Sequence, residues 1–133
     1  MKQMREKKLL VAVPIPCLDR NGDSLGTAEM ESWKRKALKV LTDCFGGATA
    51  IPAPGVNLLT DPETGHTKVL YEEKQTLVLP ACESRDEFLE KRARIAEFAG
   101  RMGKALNQDS VFVLSFSSES FLIEIEYGEK GKS

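Results

Sequence analysis

Two hydrophobic rhythms alternate along the chain, and each switch between them marks an element. From Leu9 to Ile15 the run Leu-Leu-Val-Ala-Val-Pro-Ile has no polar residue, the composition of a central strand covered on at least one face. Pro14 and Pro16 end it, because proline has no amide hydrogen to give to a ladder. The period then lengthens: Met30, Trp33, Ala37, Val40, Leu41 and Cys44 share one side, and Lys34, Arg35, Lys36 and Lys39 take the others. That spacing predicts an amphipathic helix with one buried face. Thr27 is its expected cap, Glu29 and Glu31 put negative charge where the helix dipole favours it, and Gly46 or Gly47 supplies a left-handed end.

An extended segment follows from Ala48 to Leu59, interrupted by Pro52, Pro54 and Gly55, so an edge, bulged or partly paired strand is expected. Thr60-Asp-Pro-Glu-Thr-Gly-His-Thr67 is a turn, with Pro62 at an early position and Gly65 at a left-handed one. Lys68 to Leu79 reads as one long strand, with Val69, Tyr71, Leu77 and Leu79 on one side and Leu70, Thr76 and Val78 on the other. Its middle, Glu72-Glu-Lys-Gln75, is polar on both faces, which bars it from lying wholly in a core. Ser84-Arg-Asp-Glu87 fits a capping box, and Phe88, Ile95, Phe98, Ala99, Met102 and Leu106 form the apolar stripe of a second helix. Gly100 and Gly103 each cost about 1 kcal/mol inside a helix and mark close packing on the sheet. Val111 to Phe116 and Phe121 to Tyr127 flank Ser117-Ser-Glu-Ser120 as the arms of a hairpin.

Strand, helix, strand, strand, helix, strand with an added terminal strand is an α+β order. It is that of the ferredoxin-like split βαβ sandwich, βαββαβ plus a C-terminal β-strand, with two helices on one face of an antiparallel sheet. A single domain over residues 9–127 is expected, between a flexible N-terminus (1–8) and a disordered tail (128–133). Tyr71, Phe112, Phe116 and Phe121, with several Leu and Ile, exceed what one sheet face holds in water. The open face is therefore expected to be covered, most cheaply by a second copy, giving a homo-oligomer.

Composition narrows the classes. At 133 residues, 41% hydrophobic and 29% charged, the chain suffices for one globular core without staples. Nineteen basic residues against twenty acidic ones leave a net charge of -1, which supplies no field for nucleic acid or an anionic membrane. The basic start leading through an apolar run to Cys17 has the outline of an export signal, but the run is short, holds two prolines and lacks small residues before the cysteine. No stretch approaches the ~20 apolar residues of a membrane span. Cys17, Cys44 and Cys82 are odd in number and contain no C-x-x-C pair, as reduced thiols of a cytoplasmic protein are.

Candidate chemistry is sparse. Asp19, Asn21 and Asp23 alternate like calcium-loop ligands, but the glycine falls at Gly22 and the twelfth position is Met30, so a plain loop and no metal are expected. Gly46-Gly-Ala-Thr49 joins helix to strand, the reverse of a phosphate-cradling loop, and the RNA-reading aromatic pattern is absent. No cofactor is implied. The candidate acid-base groups are His66, Tyr71 and Glu73; Glu72 and Glu73 face opposite ways on a strand and read as solvated charges. Cys82, just before a capped helix, is the best-placed nucleophile. Thr49, Asn57 and Tyr71 are the candidate ligand contacts. The expectation is a binding module that oligomerises and takes a small ligand or a protein partner. Its rival is a small enzyme with an acid-base pocket between the open sheet face and residues 48–68.

Gly46-Gly-Ala-Thr49, the Pro54-Gly55 pair, Asp61-Pro-Glu-Thr-Gly65 and Val69-Leu-Tyr-Glu-Glu73 together resemble small uncharacterised bacterial proteins of ferredoxin-like fold. The resemblance covers about a quarter of the chain, residues 45–78, and those proteins often carry tryptophan where this chain has Asn57. It implies the fold and, since that family has no assigned activity, no chemistry.

Overall fold

The computed structural model describes residues 9–117 and 123–127. In chain order the elements are β1 (Leu9–Ile15), α1 (Thr27–Phe45), β2 (Ala48–Pro52), β3 (Gly55–Thr60), β4 (Thr67–Glu72), β5 (Thr76–Pro80), α2 (Arg85–Ala105), β6 (Phe112–Ser117) and β7 (Ile123–Tyr127). Five strands form one antiparallel sheet in the order β2-β5-β1-β6-β7. α1 links β1 to β2 across β5, and α2 links β5 to β6 across β1. These two interleaved crossovers make the expected ferredoxin-like sandwich, with β7 added at one edge.

β1 lies at the centre, and its alternate residues Leu9, Val11, Val13 and Ile15 are buried. They meet Ala37 and Leu41 of α1 and Ile95, Ala99 and Met102 of α2 in one continuous core. α1 closes as predicted: Gly46 is left-handed at φ 88°, and its N–H donates to the Thr42 carbonyl at 2.7 Å. Its start differs. Gly26 occupies the cap with no side-chain acceptor, and Thr27 is already the first helical residue. α2 opens on Ser84, whose Oγ accepts the Glu87 N–H at 3.1 Å. The Glu87 carboxylate reaches back to the N–H of Glu83 at 2.9 Å, one residue before the partner of a standard capping box.

The two segments expected as single strands are each divided. The halves next to the helices, β2 and β5, pair within the main sheet, while β3 and β4 pair only with each other as a two-stranded ribbon. Pro52 and Pro54 cannot donate to a ladder, and the polar middle of the long strand becomes the corner where the ribbon leaves. Ala53 and Gln75 tie the neck twice. The Ala53 N–H donates to the Gln75 carbonyl, and Gln75 Nε2 donates to the Ala53 carbonyl, both at 2.9 Å. The expected turn at 117–120 falls mostly, and Phe121, residues 1–8 and the tail from 128 fall wholly, outside the described residues. Among the described residues no helix is long and apolar enough to cross a membrane.

The close packing expected at Gly103 is present: a methyl group built there would lie 2.9 Å from Cγ1 of Val111. Gly103→Ala should therefore destabilise the protein by about 1–2 kcal/mol, since overpacking outweighs the ~1 kcal/mol gain in helix propensity. A urea midpoint that rises instead would refute this contact.

Candidate functional site

The site is built where β1 runs out. After Pro16 the chain makes a closed loop: the Leu25 N–H donates to the Cys17 carbonyl at 2.9 Å, and Leu18 and Ser24 form a bridge. Inside it Asp19 Oδ1 accepts the N–H groups of Asn21 at 2.8 Å and Asp23 at 3.0 Å. The Asp23 N–H above all, and that of Asn21 with it, hold the Asp19 carboxyl below its ordinary range. The calcium-like spacing is thus a loop-closing device, and no group of metal-ligating side chains occurs among the described residues.

The Cys17 N–H points elsewhere, to Glu72 Oε1 at 3.0 Å. Glu72, expected as a solvated charge, is only 8% exposed. It ends β4 at the corner where the ribbon turns back toward β1, and a carboxylate drawn inside must be met by donors. Strand alternation then turns its neighbours outward: Tyr71 is 64% exposed and Glu73 is exposed as well. Burial pushes the Cys17 thiol above its ordinary value; a backbone hydrogen bond at Lys74 opposes this, and the Glu72 charge and hydrogen bond add to the rise.

Two adjoining clefts of about 170 Å³ each open here, sharing Thr27, Met30 and Lys74. One is completed by Cys17, Tyr71 and Glu73; the other runs on past Glu31 and Lys34 to Ile15 and Thr76. Both touch the first turn of α1, whose N–H groups have no side-chain cap. Lys34 is paired with Glu31 at 2.9 Å, whereas Lys74 has no ion-pair partner among the described residues.

Of the residues singled out from sequence, Tyr71 and Glu73 come together. They do so beside α1 and the end of β1, rather than between the open sheet face and residues 48–68. His66 lines a different cleft at the ribbon tip. Thr49 is exposed on β2 opposite Leu79, and Asn57 pairs with Leu70 within the ribbon. Cys82 is buried, with its thiol donating to the Ser84 carbonyl at 3.4 Å. Thr27, Lys74 and Cys17 were missed; the polar interruption at Glu72–Gln75 was their one visible signal.

A thiol whose pKa is raised by folding contributes stability that is complete below its ordinary value of 9.0 and is lost as pH climbs through the folded value. Unfolding free energy should therefore decline above about pH 9, less so in Cys17→Ala. In a variant whose only thiol is Cys17, Glu72→Gln should lower the thiolate titration midpoint read by ultraviolet absorbance. An unchanged midpoint would break the Glu72–Cys17 link.

No protein-family model matches the chain, and no curated protein does. Among solved structures, a phage SAM lyase in complex with S-methyl-5'-thioadenosine superposes with a TM-score of 0.61 at 11% identity, over 100% of this chain and 98% of that one. A phage SAM lyase in the apo state gives a TM-score of 0.63 at 12% identity over the same shares. This chain thus shares its fold, end to end, with those lyases.

Proposed function

We propose that the protein binds a small adenosyl sulfonium compound in the paired clefts at the α1 N-terminus and cleaves it as a lyase. The observation that carries the reading is the convergence of Tyr71, Glu73 and Lys74 on the uncapped first turn of α1, beside a buried carboxylate. The full-length likeness to a SAM lyase supports it. The two clefts together reach the lower end of the ~300–1,000 Å³ range of ligand sites.

The groups suit such a ligand part by part. An exposed aromatic face next to a carboxylate attracts a sulfonium cation. The N–H groups of a helix start without a side-chain cap, together with the Lys74 ammonium, which has no ion-pair partner among the described residues, suit an amino-acid carboxylate. Cleavage that leaves S-methyl-5'-thioadenosine breaks the bond between sulfur and the four-carbon amino-acid arm, and the bonding pair stays on sulfur as a neutral thioether. The carbon fragment then either closes on its own carboxylate as a lactone or gives a proton to a base, a role open to Glu73.

Incubation with S-adenosylmethionine should release S-methyl-5'-thioadenosine, and chromatography of the second product separates lactone from alkene. Tyr71→Ala should weaken binding by about tenfold, and Glu73→Gln should slow an alkene-forming reaction by ~10²-fold. Neither binding by calorimetry nor product would end this reading.

A second reading concerns assembly. Leu10 and Ile51, 44% and 41% exposed, stand on the sheet face away from the helices, and we propose that this face joins copies of the chain. Light scattering should then give a dimer or larger, and Leu10→Lys should shift it to monomer. A monodisperse wild-type monomer would dismiss it.

A further inference from the structure

A cleft of about 580 Å³ lies at the far end of the ribbon, more than three times the volume of either cleft at α1. Three segments remote in sequence build it: the β1–α1 loop with Arg20 and Asn21, the ribbon tip with Asp61, His66 and Lys68, and Asp109 after α2. We propose that this cleft binds the anionic head group of a small ligand, phosphoryl or carboxylate, between Arg20 and Lys68.

Arg20 is fixed before any ligand arrives. Its backbone N–H donates to the Asn107 carbonyl at 2.8 Å, Nη2 donates to the Gln108 carbonyl at 3.0 Å, and Nη1 lies 3.6 Å from Asp109 Oδ1. These contacts leave the guanidinium fork with donors to spare. The loop beneath is closed by Asp19, and Gln108 Nε2 donates to the Leu18 carbonyl at 2.7 Å, which ties the loop to the end of α2. From the ribbon side, Lys68 Nζ reaches over Gly22, 3.9 Å from where a Cβ would stand. The Lys68 ammonium has no ion-pair partner among the described residues.

The two acids at the rim are already engaged. Asp109 is the counter-charge of Arg20, and Asp61 Oδ1 turns into the tip to accept the Glu63 N–H at 2.8 Å. Among the described residues the cleft still offers donors: the rest of the guanidinium, the Lys68 ammonium, the His66 ring, the Asn21 amide and the hydroxyls of Thr60 and Thr67. A planar two-oxygen anion matches the fork of an arginine and the point charge of a lysine together. Nothing in this cleft depends on the lyase reading, since none of the residues at α1 lines it.

The test is a nuclear magnetic resonance titration of the full ¹⁵N-labelled chain with inorganic phosphate and, separately, succinate, each against sodium chloride at equal ionic strength. Saturable shifts at residues 20–22, 60–68 and 109, with a Kd of about 10 mM or below, are expected for at least one anion. The stronger of the two identifies phosphoryl or carboxylate as the head group. Lys68→Gln, an exposed change, should weaken binding about tenfold, and Arg20→Lys should weaken it by a similar factor because the fork is lost. The proposal fails if shifts match those from sodium chloride, or if Lys68→Gln, with its spectrum otherwise intact, binds as well as the wild type. S-adenosylmethionine acting at α1 would move residues 27–34 and 71–76 instead, so the two sites fail or stand separately.

Discussion

Two helices, each with a single apolar stripe, can be buried together only against a common wall, and β1 is the middle of that wall. Its run of Val11, Val13 and Ile15 meets both helices, and its two edges take β5 and β6. Every crossover is therefore measured from this strand. Were polar residues to stand at Val11, Val13 and Ile15, neither helix stripe would find its partner.

The strand also places the candidate site. Where β1 ends, its backbone no longer has a ladder partner, and the orphaned Cys17 N–H is taken by the carboxylate of Glu72. That bond joins the end of the central strand to the corner of a ribbon which on its own would be marginally stable. The double tie between Ala53 and Gln75 secures the same ribbon at its neck. A buried acid here acts as a structural fastener, and its position turns Tyr71 and Glu73 toward the cleft at α1.

The ribbon thus presents different chemistry at its two ends. Near the neck, Tyr71 and Glu73 line a cleft at the uncapped start of α1. At the tip, Arg20, held by the end of α2, and Lys68, which has no ion-pair partner among the described residues, line one cleft beside a loop held closed by Asp19. The near-neutral net charge conceals this separation, because a sum over the chain carries no record of which charges are paired.

Local patterning determined the order and type of the elements. The periods of three and four in α1 and α2, the capping serine at 84, the left-handed Gly46 and the unbroken apolar run of β1 all act over a few residues, and each appears where those residues put it. The ferredoxin-like order followed from them, since few topologies bury two such stripes on one sheet. The division of the two long extended segments was legible only as a warning, through Pro52, Pro54 and the polar stretch from Glu72 to Gln75. Whether such a stretch becomes a bulge, a solvated strand or a corner depends on what lies across from it. Tertiary structure alone decided that Glu72 is buried, that Thr27 and Lys74 join Tyr71 and Glu73, and that His66 stands apart with Arg20 and Lys68. These pairings join residues up to 90 positions apart, as Gln108 and Leu18 are. A hydrogen bond or charge pair at that range leaves no periodic trace in the sequence, because its geometry exists only once the core has brought the ends of β1, α2 and the ribbon together.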